Sequence, residues 1–361
     1  MATNPQLRWG VIGTGWIADM FIKDILAPRP NSPAKHILAA VGTSSSIEKS
    51  EKFIESHWKG EGQRPKAFGS YQEVYDYPEA DIVYIATPHT LHKQNCLDAI
   101  RAGKHVLCEK PFTMNSKEAE EVVAAAKAKG VFLMEAVWTL FFPLAIELQS
   151  KIESGAIGRI WRSVVEIGLG ADWDTIPQSH RLKDPALGGG ALLDLGIYTI
   201  TYSSLIMGRG LYGDEHPDIK VTSAMDIVNG VDETSTVILQ YKTTDGQPQT
   251  AVCLPTVLAN GQQDFGRIQG KEGSITLYAE LGPSCPTGFR VKNSKGEEED
   301  FRFDHPEGTF GFIYEADAVA RDIFAGRAEN ARMPLSETLR VMRLMDQIRA
   351  QCGLVYPQDN E

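Results

Sequence analysis

At 361 residues the chain exceeds one typical core and suits two packed domains. Its 42% hydrophobic and 23% charged residues are those of an ordinary soluble globular protein. A net charge of -11 argues against a nucleic-acid backbone as the main partner, while leaving room for a local basic pocket.

The first apolar run, RWGVIG, begins too near the start for a signal peptide or twin-arginine leader to precede it. No apolar stretch approaches bilayer length, so a cytoplasmic protein with no membrane partner is expected. Residues 7 to about 137 alternate short apolar runs (RWGVIG, HILAAVGT, DIVYIAT, HVLCEK, VFLMEAV) with amphipathic segments such as Ile17, Met20, Phe21 and Ile25. Continuous apolar runs suit strands buried on both faces, which predicts a doubly wound α/β domain with a parallel sheet. Asn115 with Glu118 predicts a cap for the alanine-rich helix that Gly130 ends.

Gly13-Thr14-Gly15-Trp16-Ile17-Ala18 reads G-x-G-x-x-A between the first strand and its helix. The first glycine permits the tight turn, the second lets backbone approach a pyrophosphate, and the helix N-terminus supplies free N–H groups. Residues 1–138 therefore read as a Rossmann dinucleotide-binding domain. Selectivity for NAD needs an acid at the end of the second strand. Gly42-Thr43-Ser44-Ser45-Ser46 stands there instead, followed by Lys49 and Lys52, a set that favours the ribose phosphate of NADP. Thr87 and Pro88 end the strand DIVYIA and border the nicotinamide half. His89 and His92 fall on the first exposed turn of the next helix, and His92 joins the expected cofactor contacts. Glu109 and Lys110 end the run HVLCEK, just before Pro111, and join the expected cofactor contacts. An ammonium at a strand's carboxyl end can move protons during hydride transfer.

Beyond Trp138 the texture changes. Segments such as IWRSVVEIGL, STVILQYKT, GRIQGKEGSITLY and EDFRFD read as half-buried strands between tight turns, with helices around Phe312 to Phe324 and Ser336 to Ala350. This predicts an α+β domain over 139–361 with a large, mostly antiparallel open sheet, its last helix able to return to the first domain. Alternation at Trp161, Ser163, Val165 and Ile167 suggests apolar surface and a homodimer through that face. The Gly188-Gly189-Gly190 run approaches a helix on which Asp194 and Tyr198 are four apart and share a face. Buried in apolar company, they need partners, which a lysine from the first domain would supply. The five cysteines (96, 108, 253, 285, 352) show no C-x-x-C spacing, so reduced thiols and no metal site are expected.

Together the G-x-G-x-x-A opening, E-K-P, MEAVWT-x-FFP and G-G-A-L-L-D-L-G-I-Y resemble the Gfo/Idh/MocA oxidoreductases. The likeness is strongest to the branch of dimeric dihydrodiol dehydrogenases and fungal NADP-dependent D-xylose dehydrogenases, from Trp9 to the terminal VYPQD. The resemblance implies that Lys110, Asp194 and Tyr198 are the catalytic group. It implies that Trp138 and Phe142 wall the substrate, and that His180 and Arg181, in a Ser-His-Arg motif, contact sugar hydroxyls. One departure is Leu140, where related sequences usually carry arginine. Loss of that cation disfavours an anionic substrate.

The implied reaction is oxidation of a cyclic aldose, with D-xylose foremost, to an aldonolactone by hydride transfer to NADP. A free phenol titrates at about 10. A neighbouring ammonium and the positive nicotinamide would favour phenolate and make Tyr198 the base, with Lys110 as activator and Asp194 as orienting partner. The converse, lysine as base and tyrosine as relay, stays open. Two other functions compete: oxidation of a trans-dihydrodiol to a catechol by the same groups, and a non-catalytic NADP-sensing regulator.

Overall fold

Strands form where the apolar runs lie. The computed structural model describes residues 5–360 apart from 30–31, 61, 208–218, 243–245, 281 and 283; Thr243, the last residue of the predicted strand STVILQYKT, lies outside the described residues. β1 (Gln6–Ile12), β2 (Lys35–Gly42), β3 (Lys66–Phe68), β4 (Ile82–Ile85), β5 (His105–Glu109) and β6 (Leu133–Ala136) make a parallel sheet in the order β3-β2-β1-β4-β5-β6. β4 and β6 are buried at every residue, as two-sided coverage demands. Helices α1 (Trp16–Leu26), α2 (Ile47–His57), α3 (Tyr71–Tyr75), α4 (His92–Arg101) and α5 (Ser116–Lys129) connect the strands. Strand order reverses between β1 and β4, which sets a ligand crevice at their carboxyl ends. At the head of α5, Asn115 accepts from the Glu118 N–H at 3.0 Å, and Glu118 accepts in return from the Met114 N–H at 3.0 Å. Gly130 closes the helix at φ 72.

The chain divides into two compact units. One runs up to Phe141 and takes in His305–Arg340; the other holds Phe142–Asp304 and the residues from Val341 onward. Residues 305–340, expected in the second domain, thus pack with the first. Their anchor is Asp24 on α1, whose carboxylate accepts from the N–H groups of Phe310, Gly311 and Phe312 at 2.8–3.0 Å. It supplies the cap that Gly311 cannot give to α8 (Phe312–Phe324). Phe312 then stacks on Trp138 at 4.1 Å, and Asp317 binds Arg29 and His36. The unit boundary falls inside the last helix, α9 (Leu335–Cys352).

The second unit is built on an eight-stranded sheet. Its strands are β7 (Ile160–Gly168), β8 (Ile219–Val228), β9 (Val231–Lys242), β10 (Pro248–Thr256), β11 (Gly266–Gly270), β12 (Gly273–Tyr278), β13 (Gly288–Asn293) and β14 (Glu298–Arg302). They are ordered β14-β13-β12-β11-β7-β10-β9-β8, antiparallel except for the parallel pair β7 and β10. Helix α7 (Ile197–Met207) packs on β7 and β10, and α6 (Pro143–Glu153) packs on α7 and β13.

Two sequence expectations are corrected here. Ser163, Val165 and Ile167 are buried within the chain, while Trp161 is 53% exposed. The register between β7 and β11 shifts beside Trp161, so the alternation that joined it to Val165 is broken by a bulge. The run Pro185–Met207 does have the length and apolarity to span a bilayer, contrary to the expectation that none approaches it. Its apolar window is wholly buried, as in a core helix.

Candidate active site

In the first unit the G-x-G turn sits at the strand-order reversal. Gly13 donates its N–H to the Gly42 carbonyl at 3.1 Å and adopts φ 86. A Cβ there would lie 2.7 Å from the Ala86 carbonyl oxygen, so only glycine fits. A Cβ on Gly15 would meet nothing within 4 Å, and no side chain caps α1 there. The turn thus leaves open space beside unpaired N–H groups, which suits a pyrophosphate. Thr14 lies inside this turn; Ile17 and the 72% exposed Trp16 follow on the first turn of α1.

After β2, Thr43 is buried and bonds the Ser46 carbonyl at 2.7 Å, leaving Ser44, Ser45 and Lys49 exposed. This arrangement fits a ribose phosphate. One acid escaped the sequence reading: Glu48, in the first turn of α2. Its carboxyl is held below the ordinary range by its own backbone N–H and by Ser46.

At the end of β4, Pro88 is exposed, while Thr87 is buried and accepts from Asn95 at 3.0 Å through its hydroxyl. His89 and His92 are not on an exposed turn; they are 8% and 1% exposed. The His92 ring lies between two carbonyls, Thr87 O at 2.9 Å and Pro111 O at 3.0 Å, so it braces the loops rather than facing a ligand. Glu109 is likewise turned to internal use. Its carboxylate accepts from the Tyr84 hydroxyl at 2.5 Å and from the Lys110 N–H at 3.2 Å. Lys110 is half-buried and precedes a cis peptide to Pro111.

Behind this turn the unit holds an unusual amount of buried acid. Burial pushes the Glu135 carboxyl up to about 7, opposed first by the Thr338 side chain and then by the Phe112 N–H. Burial, then the neighbouring Glu109 and Asp24, pushes Glu315 well above the carboxyl range, and neither Glu315 oxygen has a hydrogen-bond partner among the described residues. A carboxyl raised on folding gives its full stability below its unfolded pKa of about 4.3 and loses it as pH rises toward the folded value. Glu315→Gln removes that loss. Thermal melts between about pH 5 and 8 should show wild type falling steadily behind the variant; a pH-independent difference would contradict this.

In the second unit a π turn, Leu192–Gly196, leads into α7 and carries Asp194; Tyr198 follows on the helix. Asp194 and Tyr198 are 8% and 5% exposed. The glycine approach is tied down on both sides. Tyr356 donates to the Gly189 carbonyl at 2.5 Å, and Asp232 accepts from the Leu192 N–H at 2.8 Å. Burial pushes Asp232 up to about 7. Arg181 reaches Asp194 with two nitrogens at 3.1 and 3.4 Å, so the acid has a cationic partner within its own unit. His180 is half-buried and its Nδ1 accepts from the Leu182 N–H at 3.3 Å.

The expected aromatic wall is mostly core. Trp138 is 6% exposed against Phe312, and Phe142 is fully buried. The Leu140 carbonyl accepts from Arg332 Nε at 2.9 Å, so a guanidinium does stand beside that position. Among the described residues, no group of three His, Cys, Asp or Glu side chains is placed to hold a metal ion.

Residues 7–137 match the model of an oxidoreductase family with an NAD-binding Rossmann fold, Gfo/Idh/MocA, and residues 146–276 match that of its C-terminal domain. The chain belongs to the Gfo/Idh/MocA family. It is 35% identical to D-xylose 1-dehydrogenase (NADP(+)) of Hypocrea jecorina over 98% of this chain and 94% of that one. Identity to trans-1,2-dihydrobenzene-1,2-diol dehydrogenase of Danio rerio is also 35%, over 98% and 99%. A crystal structure of a 3-ketoreductase from Actinomadura kijaniata, with NADP and TDP-benzene, superposes with a TM-score of 0.77 at 23% identity, over 97% of this chain and 98% of that one, and shares the fold. The two matched stretches fall one in each unit.

Proposed function

We propose that this Gfo/Idh/MocA oxidoreductase oxidises a cyclic aldose, D-xylose foremost, at its anomeric carbon to the aldonolactone. It is thereby an NADP-dependent enzyme of the sugar and dihydrodiol dehydrogenase group. The choice of D-xylose rests on the full-length likeness to a D-xylose dehydrogenase, joined to a cation on the acid that precedes α7: Arg181 on Asp194. A polar pair there suits a polyol better than an arene diol.

NADP supplies the hydride acceptor. Gly13, Thr14, Gly15, Trp16 and Ile17 would bind its pyrophosphate end, Ser44, Ser45, Ser46 and Lys49 its ribose phosphate, and Thr87 and Pro88 the edge of its nicotinamide. Tyr198 takes the proton from the C1 hydroxyl as hydride leaves C1, and the C1–O bond becomes the lactone carbonyl. Lys110 anchors that hydroxyl and favours the phenolate; Asp194, steadied by Arg181, orients the pair. The half-buried row Val164, Val252 and Ile238, aligned across β7, β10 and β9, supports pairing of two copies through the sheet face opposite α7.

The dihydrodiol reading keeps a claim through the equal identity to the zebrafish enzyme. Steady-state rates of NADPH formation decide between them. D-Xylose should give the highest kcat/KM among xylose, glucose and a trans-dihydrodiol, and NADP should exceed NAD by at least about tenfold for one well-placed phosphate contact. A dihydrodiol preferred over both sugars would overturn the substrate assignment.

A further inference from the structure

The turn that bears Lys110 is gripped by groups that have no part in the proposed reaction. One peptide group, joining Pro111 to Phe112, lies one residue beyond the lysine. Its N–H donates to Glu135 Oε1 at 3.0 Å, and its carbonyl oxygen lies 3.0 Å from His92 Nδ1. Glu135 comes from β6 and His92 from the start of α4, so separate elements close on opposite ends of the same peptide.

Both gripping residues are wholly inside the unit, Glu135 at 0% and His92 at 1% exposure. A carboxyl buried this deeply is costly unless bonded. The Thr338 hydroxyl and the Phe112 N–H are the groups that favour its charge, and Phe112 is the one that bonds it with ordinary geometry. His92 faces two carbonyls, and a neutral ring carries a single N–H. Burial lowers its pKa to about 4. At neutral pH the ring is uncharged and can donate its single N–H to one of the two carbonyls, while Glu135 accepts from the Phe112 N–H at the other end.

We propose that Glu135 and His92 are positioning residues, which fix the Pro111–Phe112 peptide at both ends and so set where the Lys110 ammonium stands. The proposal rests on Lys110 being the proton-handling lysine. A misplacement of about 1 Å in such a group costs on the order of 10²-fold in rate.

The test uses the full-length enzyme with Glu135→Gln, which keeps an acceptor for the Phe112 N–H, beside Glu135→Leu, which removes it. The leucine variant should lose about 10- to 100-fold in kcat with its KM for NADP within about threefold, and the glutamine variant should restore most of that loss. Unchanged kcat in Glu135→Leu, or an equal fall in both variants, would overturn the proposal. Should the leucine variant fail to fold, amide exchange in the wild type decides: a protected Phe112 N–H supports the grip, and exchange at the open-chain rate overturns it. Full activity in Lys110→Met would sink the catalytic reading on its own, and free exchange at Phe112 would sink the grip on its own.

Discussion

Lys110→Met and Tyr198→Phe are each expected to lower kcat by about 10²- to 10⁴-fold while leaving NADP affinity within a few fold. Methionine keeps the length and apolar stem of lysine and removes only the charge. Phenylalanine removes a single oxygen from a side chain that is 5% exposed, so packing in α7 is conserved. Because the loss falls on proton handling, it should appear in kcat and kcat/KM alike. The double variant should fall little further than the worse single one, since groups that act as a unit are not additive. Turnover within threefold of wild type for both single variants would remove the proposed roles.

Gly13→Ala should damage folding and cofactor binding together. The residue holds φ 86, and its new methyl would stand 2.7 Å from the Ala86 carbonyl oxygen and 3.0 Å from its carbon. Those atoms are backbone at the end of β4 in the middle of a sheet, and they have no side-chain freedom with which to yield. Backbone strain and overlap together cost roughly 3 kcal/mol, equivalent to about a hundredfold in NADP affinity if the turn moves to relieve them. Gly15→Ala is the control. That residue has φ -78 and empty space around its Cα, so the apo-protein should melt like wild type and lose only cofactor affinity. Thermal melts and NADPH fluorescence titrations read both effects. A Gly13→Ala protein with wild-type melting and binding would contradict the turn's assigned role.

Much of the first unit is legible in the sequence because buried parallel strands are apolar without interruption. All five runs singled out became strands, and only β3 escaped, being three residues long with a single buried position. The α5 cap was legible because capping chemistry is local. What escaped is non-local. Nothing near residues 305–340 announces that they pack with the first unit; the reason lies in Asp24, nearly three hundred residues away. The bulge at Trp161 breaks an alternation that counting by twos assumes. Arg181 and Asp194 are joined by the fold of a loop, and no helical or strand spacing relates them. His92 and Glu109 carried the right chemistry for ligand contact, yet His92 meets two backbone carbonyls and Glu109 accepts from the Tyr84 hydroxyl and the Lys110 N–H.

In the proposed reaction the hydride originates at C1 of the sugar. Wild-type enzyme given C1-deuterated D-xylose and oxidised NADP, with the reduced cofactor examined by mass spectrometry, should place one deuterium on the nicotinamide for each lactone formed. Reduced cofactor without deuterium, or no reduction by xylose where a trans-dihydrodiol is turned over readily, would contradict it.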